Sequence, residues 1–234
     1  MSSPIDLSRV ATNSLTGTTF AVNVGSPDPF KLLIVMVRWA GAPGTLGFTG
    51  YTSLNGASGD ASDASDDSTL IVYRWTDGTE GATDNFTATN SVKGCALAWQ
   101  IEGAANPAQF APEISTVAVG TTAINTANPG SRAVTGGPKD VLYLALCAMD
   151  GEANSPTVAP TNYTNLTTAN SGTAGLPATN CTMGGGSRAI LNSNSDDPGV
   201  FTHAAAAAGW TAYTVAIRPP LDMPIVTVGP PLGY

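Results

Sequence analysis

Residues 141–149 read V-L-Y-L-A-L-C-A-M, nine consecutive positions without a charged or amide side chain. As a strand, this run puts Val141, Tyr143, Ala145, Cys147 and Met149 on one face and Leu142, Leu144, Leu146 and Ala148 on the other. Neither face suits water, so something apolar must cover both. Residues 31–40, K-L-L-I-V-M-V-R-W-A, make the same demand. Both are expected as mid-sheet strands, with a partner sheet on one side. The other side is expected to meet the protein's own loops or a neighbouring subunit.

Other apolar or alternating runs recur between clusters of Gly, Pro, Asn and Asp, among them T-T-F-A-V-N-V, S-T-L-I-V-Y-R-W, C-A-L-A-W-Q-I and W-T-A-Y-T-V-A-I. In C-A-L-A-W-Q-I, Cys95, Leu97, Trp99 and Ile101 share one face, opposite Ala96, Ala98 and Gln100. In S-T-L-I-V-Y-R-W, Ile71, Tyr73 and Trp75 oppose Leu70, Val72 and Arg74. Only 11% of residues are charged, and 26 Gly and 17 Pro punctuate the chain. This composition suits many short strands better than long helices, so the chain is expected to be all-β, a two-sheet antiparallel sandwich. The one helix-prone segment is H-A-A-A-A-A-G-W at 203–210, where a short helical turn ending at Gly209 is expected.

The net charge is −8, and the nine basic residues are scattered. Nucleic-acid binding needs clustered Lys and Arg to neutralise phosphates, so no nucleic-acid partner is expected. Three cysteines, Cys95, Cys147 and Cys181, do not make a disulfide framework; Cys95 and Cys147 sit in apolar runs and read as buried thiols of a chain folded in a reducing cytoplasm. The opening residues lack the basic-then-apolar pattern of a secretion signal, and no apolar run approaches the ~18 residues that span a bilayer. No membrane partner is expected.

Little in the sequence suggests catalysis, and no enzymatic activity or cofactor is expected. His203 is the single histidine and stands beside an alanine run, without the pattern of a triad. Cys/His metal motifs are missing, and no metal site is expected. The segment G-G-G-S-R at 184–188 lacks the lysine and spacing of a phosphate loop and reads as a flexible turn. Asp60, Asp63, Asp66 and Asp67 lie close together but without the pattern of a calcium loop, so a solvated acidic loop is the simpler account. Asp196 and Asp197 read as part of a turn before Pro198. Trp39, Trp75, Trp99 and Trp210 all lie in or beside apolar runs and read as core rather than as sugar-binding platforms.

The ends differ from the middle. Residues 219–234, P-P-L-D-M-P-I-V-T-V-G-P-P-L-G-Y, contain five prolines and the apolar residues Leu221, Met223, Ile225, Val226, Val228, Leu232 and Tyr234. Proline disfavours helix and ladder, so an extended arm is expected, lying on its own domain or on a neighbouring subunit. Pro219, Pro220 and these apolar residues are the candidate interface. Residues 1–14, with Ile5, Leu7 and Val10, are expected to form a shorter arm, leaving 15–218 as the sandwich.

The order of segments carries a resemblance. A strand ending A-L-A-W-Q-I-E-G-A-A-N-P is followed by the Thr/Ala-rich T-V-A-V-G-T-T-A-I-N-T-A-N-P-G-S-R-A-V-T-G-G-P-K-D, then V-L-Y-L-A-L-C-A-M-D-G-E, A-P-T-N-Y-T-N-L and W-T-A-Y-T-V-A-I-R-P. Over roughly 15–218 this resembles the jelly-roll virion proteins of tailed bacteriophages, which serve as head decoration (cement) proteins or as modules of minor tail and fibre proteins. The resemblance implies a jelly roll, a homo-oligomer with a trimer favoured, and a place on the outer surface of the particle. It carries no catalytic residues. The function it implies first is a capsid decoration protein, made in the host cytoplasm, that binds the major capsid protein and stabilises the shell. The alternative is a tail-fibre or minor tail module that recognises host surface glycans.

Overall fold

The computed structural model describes residues 3–57, 59–61, 68–120, 124–172, 180–207 and 209–221. Seven strands from the first half of the chain form one antiparallel sheet: β1 (Ile5–Asn23), β2 (Leu32–Ala40), β3 (Leu46–Gly47), β4 (Thr52–Ser53), β5 (Asp60–Ala61), β6 (Ser68–Trp75) and β7 (Thr83–Glu102). Its order is β1-β7-β2-β6-β4, with β3 on β7 and β5 on β6.

The second half of the chain contributes β8 (Glu113–Ile114), β9 (Ala118–Gly120), β10 (Ile124–Ala127), β11 (Arg132–Ala133), β12 (Lys139–Asp150), β13 (Pro156–Val158), β14 (Thr164–Asn170), β15 (Cys181–Ser193), β16 (Ser195–Asp196), β17 (Phe201–Ala207) and β18 (Trp210–Ile217). Six of them build the second sheet in the order β14-β15-β12-β18-β8, with β9 also on β18. Three others form a small sheet, β10-β17-β13, and β11 pairs with β16. The result is all-β and sandwich-like, with one half of the chain in each main sheet. Among the described residues no helix is long and apolar enough to cross a membrane.

The two runs that needed cover on both faces are the central strands β2 and β12, and every residue of β2 is buried. Their inner faces meet in one core. Leu32, Ile34 and Met36 of β2, with Leu97 and Trp99 of β7, pack against Leu142, Leu144 and Leu146 of β12 and Tyr213 and Val215 of β18. The outer faces are covered by the chain itself. Above the first sheet, Phe20 and Val22 of β1 and Phe86 and Ala88 of β7 pack on Leu33, Val35, Val37 and Trp39. These residues come from the outer halves of β1 and β7, which stay paired to each other past a register break after Gly17 and fold across the sheet they belong to. Phe20 stacks on Trp39 with ring centroids 5.7 Å apart. Above the second sheet, Ala127, Tyr163 and Phe201 pack on Val141, Tyr143, Ala145 and Cys147.

Several local expectations are corrected. Residues 5–14, expected as an arm, form the first half of β1, paired with β7 from Ile5↔Glu102 to Thr12↔Ala96. Residues 204–207 belong to strand β17 and not to a helical turn, because β17 lies between β10 and β13, with Ala207 paired to Ile124 and the Ala204 amide donating to the Ser155 carbonyl at 3.1 Å; this pairing outweighs alanine's helix preference. Gly184, Gly185 and Gly186 are not a turn but the buried middle of β15, paired with Cys147, Leu146 and Ala145. A side chain at Gly185 would collide with the Trp99 ring, and one at Gly184 with the Pro156 ring. The glycines let the neighbouring layers come close.

At one end of the inner core a row of polar and sulfur contacts crosses between the sheets. Arg38 of β2 is fully buried and donates to the Asp150 carboxylate of β12 at 2.7 Å and to the Thr69 hydroxyl of β6 at 3.0 Å. Thr69 in turn meets Thr211 of β18 at 3.0 Å. Beside them the Cys95 and Cys181 sulfurs lie 3.8 Å apart.

Candidate interaction surface

The last strand leaves the sandwich at Arg218, and this exit is held firmly. The Glu113 carboxylate accepts from the Arg132 guanidinium at 2.5 Å and from the Arg218 guanidinium. The Thr135 hydroxyl donates to the same carboxylate at 3.0 Å. Burial pushes the Glu113 carboxyl up, but the hydrogen bonds from Arg132 and Thr135 and the charge of Arg218 outweigh it, and the group titrates below the usual glutamate value. Arg218 also lies over the Phe110 ring, 4.5 Å from its centroid, and its carbonyl accepts from the Ala105 amide at 2.9 Å.

Beyond this anchor Pro219 is buried, whereas Pro220 and Leu221 point outward, and Leu221 is 62% exposed. With Pro138, Lys139, Asp140, Asn192 and Arg218 they line an open depression of about 280 Å³. Leu191, next to Asn192 on β15, is 71% exposed. The surface therefore combines a fixed polar base with exposed leucines. Of the candidate interface residues, Pro219, Pro220 and Leu221 belong to it; Met223, Ile225, Val226, Val228, Leu232 and Tyr234 lie outside the described residues.

The other candidates from the sequence fall into structural roles or outside the description. His203 is buried and has no hydrogen-bond partner among the described residues; burial lowers its pKa from 6.5 to about 4, so the imidazole is neutral. Asp196 is buried, accepting from the Tyr163 hydroxyl at 2.5 Å and from Arg188 at 2.9 Å, while Asp197 is exposed. Asp60 is in β5, and Asp63, Asp66 and Asp67 lie outside the described residues. Among the described residues no three His, Cys, Asp or Glu side chains gather where they could hold a metal ion.

The tryptophans divide. Trp39, Trp99 and Trp210 are buried as expected, but Trp75 is only partly buried. With Tyr73, two residues earlier on the same face of β6, it lines an open groove of about 420 Å³ that also includes Thr52 and Asn106. The sequence hid this groove, because both aromatics also pack against the inner core.

No known protein family matches the chain, and comparison with characterised proteins and with solved structures finds no significant match.

Proposed function

We propose that this chain is a structural protein of a tailed-phage particle, a decoration protein on the outer surface of the head that contacts the major capsid protein through residues 219–234 and the depression at their root. The observation that carries this reading is the exit at Arg218. A guanidinium tied to Glu113 and stacked on Phe110 fixes the direction of the chain, and the next residues turn an exposed Leu221 toward solvent beside an open hollow. An apolar, proline-rich segment leaving a fixed root can gain contact area from few residues, and prolines reduce the entropy lost on docking. Binding only to the assembled shell would stabilise that shell by mass action.

Self-covered sheets favour the same division of labour. With both outer sheet faces occupied by the chain itself, those faces are not available to other chains. The proposal includes a homo-oligomer, a trimer first, and neither nucleic acid nor catalysis. It takes the jelly-roll expectation at the level of a two-sheet sandwich. A jelly roll passes successive strands back and forth between its sheets, whereas here Ile5–Glu102 builds one sheet and Glu113–Ile217 the other.

The test is co-sedimentation with empty capsids of the full chain and of a chain ending at Arg218. The proposal expects saturable binding by the full chain and at least a tenfold weaker association of the shortened, still folded protein. Equal binding by both would remove residues 219–234 from the interface, and no binding by either would remove the decoration role.

The second reading, a tail module that recognises host glycans, is favoured by one feature, the groove beside Tyr73 and Trp75. Partly exposed aromatic faces beside a hydroxyl and an amide can stack on a sugar ring and bond its hydroxyls. Binding to host cells that is lost in Trp75→Ala and kept in the chain ending at Arg218 would select this reading.

A further inference from the structure

Cys95 and Cys181 come from opposite sheets and from opposite halves of the chain, 86 residues apart, yet their sulfurs lie 3.8 Å from each other in the inner core. The strand registers explain why. Cys95 is the ladder partner of Arg38 on β2, and Cys181 is the ladder partner of Asp150 on β12. The buried Arg38–Asp150 ion pair, at 2.7 Å, therefore joins the two sheets one strand away from the two sulfurs. It holds them at a spacing that places the thiols in contact. Cys181 is further positioned at its backbone, where its amide donates to the Ser171 hydroxyl at 2.9 Å. A disulfide needs the sulfurs at about 2.05 Å, so the bridge requires these two sulfurs to approach from 3.8 Å.

We propose that Cys95 and Cys181 form a thiol–disulfide exchange site that locks the two sheets together when the chain folds in the presence of a low-molecular-weight disulfide such as oxidised glutathione. In the first step one cysteine thiolate attacks glutathione disulfide, forming a mixed disulfide and releasing one glutathione thiolate. The second cysteine, deprotonated, then attacks the protein sulfur of the mixed disulfide. The protein S–S bond forms, the second glutathione leaves, and each leaving thiolate takes up one proton. Two thiols are oxidised and one glutathione disulfide is reduced to two thiols.

The closed fold resists this exchange. Both sulfurs are fully buried, and burial, with the Cys181 sulfur adding to it, pushes the Cys95 thiol well above its ordinary value, so thiolate is scarce. Exchange therefore belongs to the folding chain, before the sheets close. A chain folded in reducing cytoplasm stays reduced, and one folded in an oxidising medium is cross-linked. Cys147 takes no part, because it faces the outer core of the second sheet. The inference is independent of whether the protein decorates a shell.

The experiment is to refold the denatured protein in a glutathione redox buffer, then block free thiols under denaturing conditions and map them by mass spectrometry. The expected result is one free thiol, at Cys147, and a linked pair of peptides containing Cys95 and Cys181. The cross-linked protein should melt roughly 10 °C above the reduced one, as expected for a closed loop of this length in a chain of this size. Cys147→Ser should keep that rise, and Cys95→Ser or Cys181→Ser should abolish it. Native reduced protein given the same buffer should cross-link at least tenfold more slowly. Three free thiols after oxidative refolding, or a bridge involving Cys147, would overturn the proposal, and peptide mapping of the unsubstituted protein decides this even where a variant fails to fold.

Discussion

The two main sheets solve the same problem, an apolar outer face, in different ways. The first sheet is covered by its own strands: the outer halves of β1 and β7 fold across it around an apolar cluster with Phe20 stacked on Trp39, and at its margin the Tyr51 hydroxyl donates to Asp84 at 2.6 Å. The second sheet is covered by separate short elements, the β10-β17-β13 sheet and the β11–β16 pair, and this cover is tied down by polar groups. Tyr163 bonds Asp196, Asp196 bonds Arg188, and Tyr143 meets Ser193 at 3.0 Å. His203 is buried in the same cover without a partner among the described residues. Both covers carry a tyrosine–aspartate–arginine contact, but the one continuous with its sheet is held by backbone pairing and apolar packing, whereas the one added from separate pieces also buries a histidine whose protonation matters.

This difference can be broken from either side. The largest effect is expected for Gly94→Val, because any side chain at Gly94 would run into the Phe20 ring and the Arg38 carbonyl. The loss should exceed about 4 kcal/mol, enough to deplete soluble folded protein, as read by expression and denaturant melts. Phe20→Ala leaves a cavity under the first cover and should cost about 3–5 kcal/mol in urea unfolding.

In the second cover, Tyr163→Phe removes the hydroxyl that bonds Asp196 but leaves Arg188 in place, and a loss of about 1–2 kcal/mol is expected. A loss in Tyr163→Phe as large as that in Phe20→Ala would mean that the second cover leans on its polar contacts as heavily as the first does on its apolar ones.

Acid should act on the second cover first. His203 has a folded-state pKa lowered from 6.5 to about 4, so between these values the folded protein binds fewer protons than the unfolded chain. Its stabilising contribution is complete above pH 6.5 and falls away as the pH drops to about 4. Glu113, also lowered, loses its contribution as pH falls below the ordinary glutamate value of 4.5, overlapping only the foot of the His203 window. Melting temperature measured across this range should therefore decline between pH 6.5 and 4 in the native protein and stay flatter in His203→Leu. An unchanged profile in the variant would mean that His203 is not the responsive group. The smallest effect is expected for Leu191→Ser, on the exposed surface beside the chain exit, which should change stability by less than about 0.5 kcal/mol.

The alternation of side chains made much of the architecture legible. The face assignments of Cys95, Leu97, Trp99 and Ile101, and of Val141, Tyr143, Ala145, Cys147 and Met149, match the inner core of the sandwich and the outer core of the second sheet. Where local composition conflicted with distant pairing it misled. Gly184–Gly185–Gly186 looked like a turn and the alanines after His203 like a helix, but both are strands whose conformation is set by neighbours far away in the chain. Arg38 is a single charge inside an apolar run. That was a visible signal of a buried partner, but nothing in the local sequence pointed to Asp150, which lies 112 positions later. Likewise Glu113, the hub of the chain exit, draws its partners from 19 and 105 residues away. Contacts between the sheets depend on how the two halves are set against each other, and residue patterns within one strand do not contain that information.

The central claim, a decoration role on the shell, is tested most directly by counting copies of this chain against the major capsid protein in purified particles by quantitative mass spectrometry. The account expects a fixed ratio corresponding to hundreds of copies per particle, retained in heads separated from tails. A count of a few to tens, confined to the tail fraction, or none in the particle at all, would contradict it.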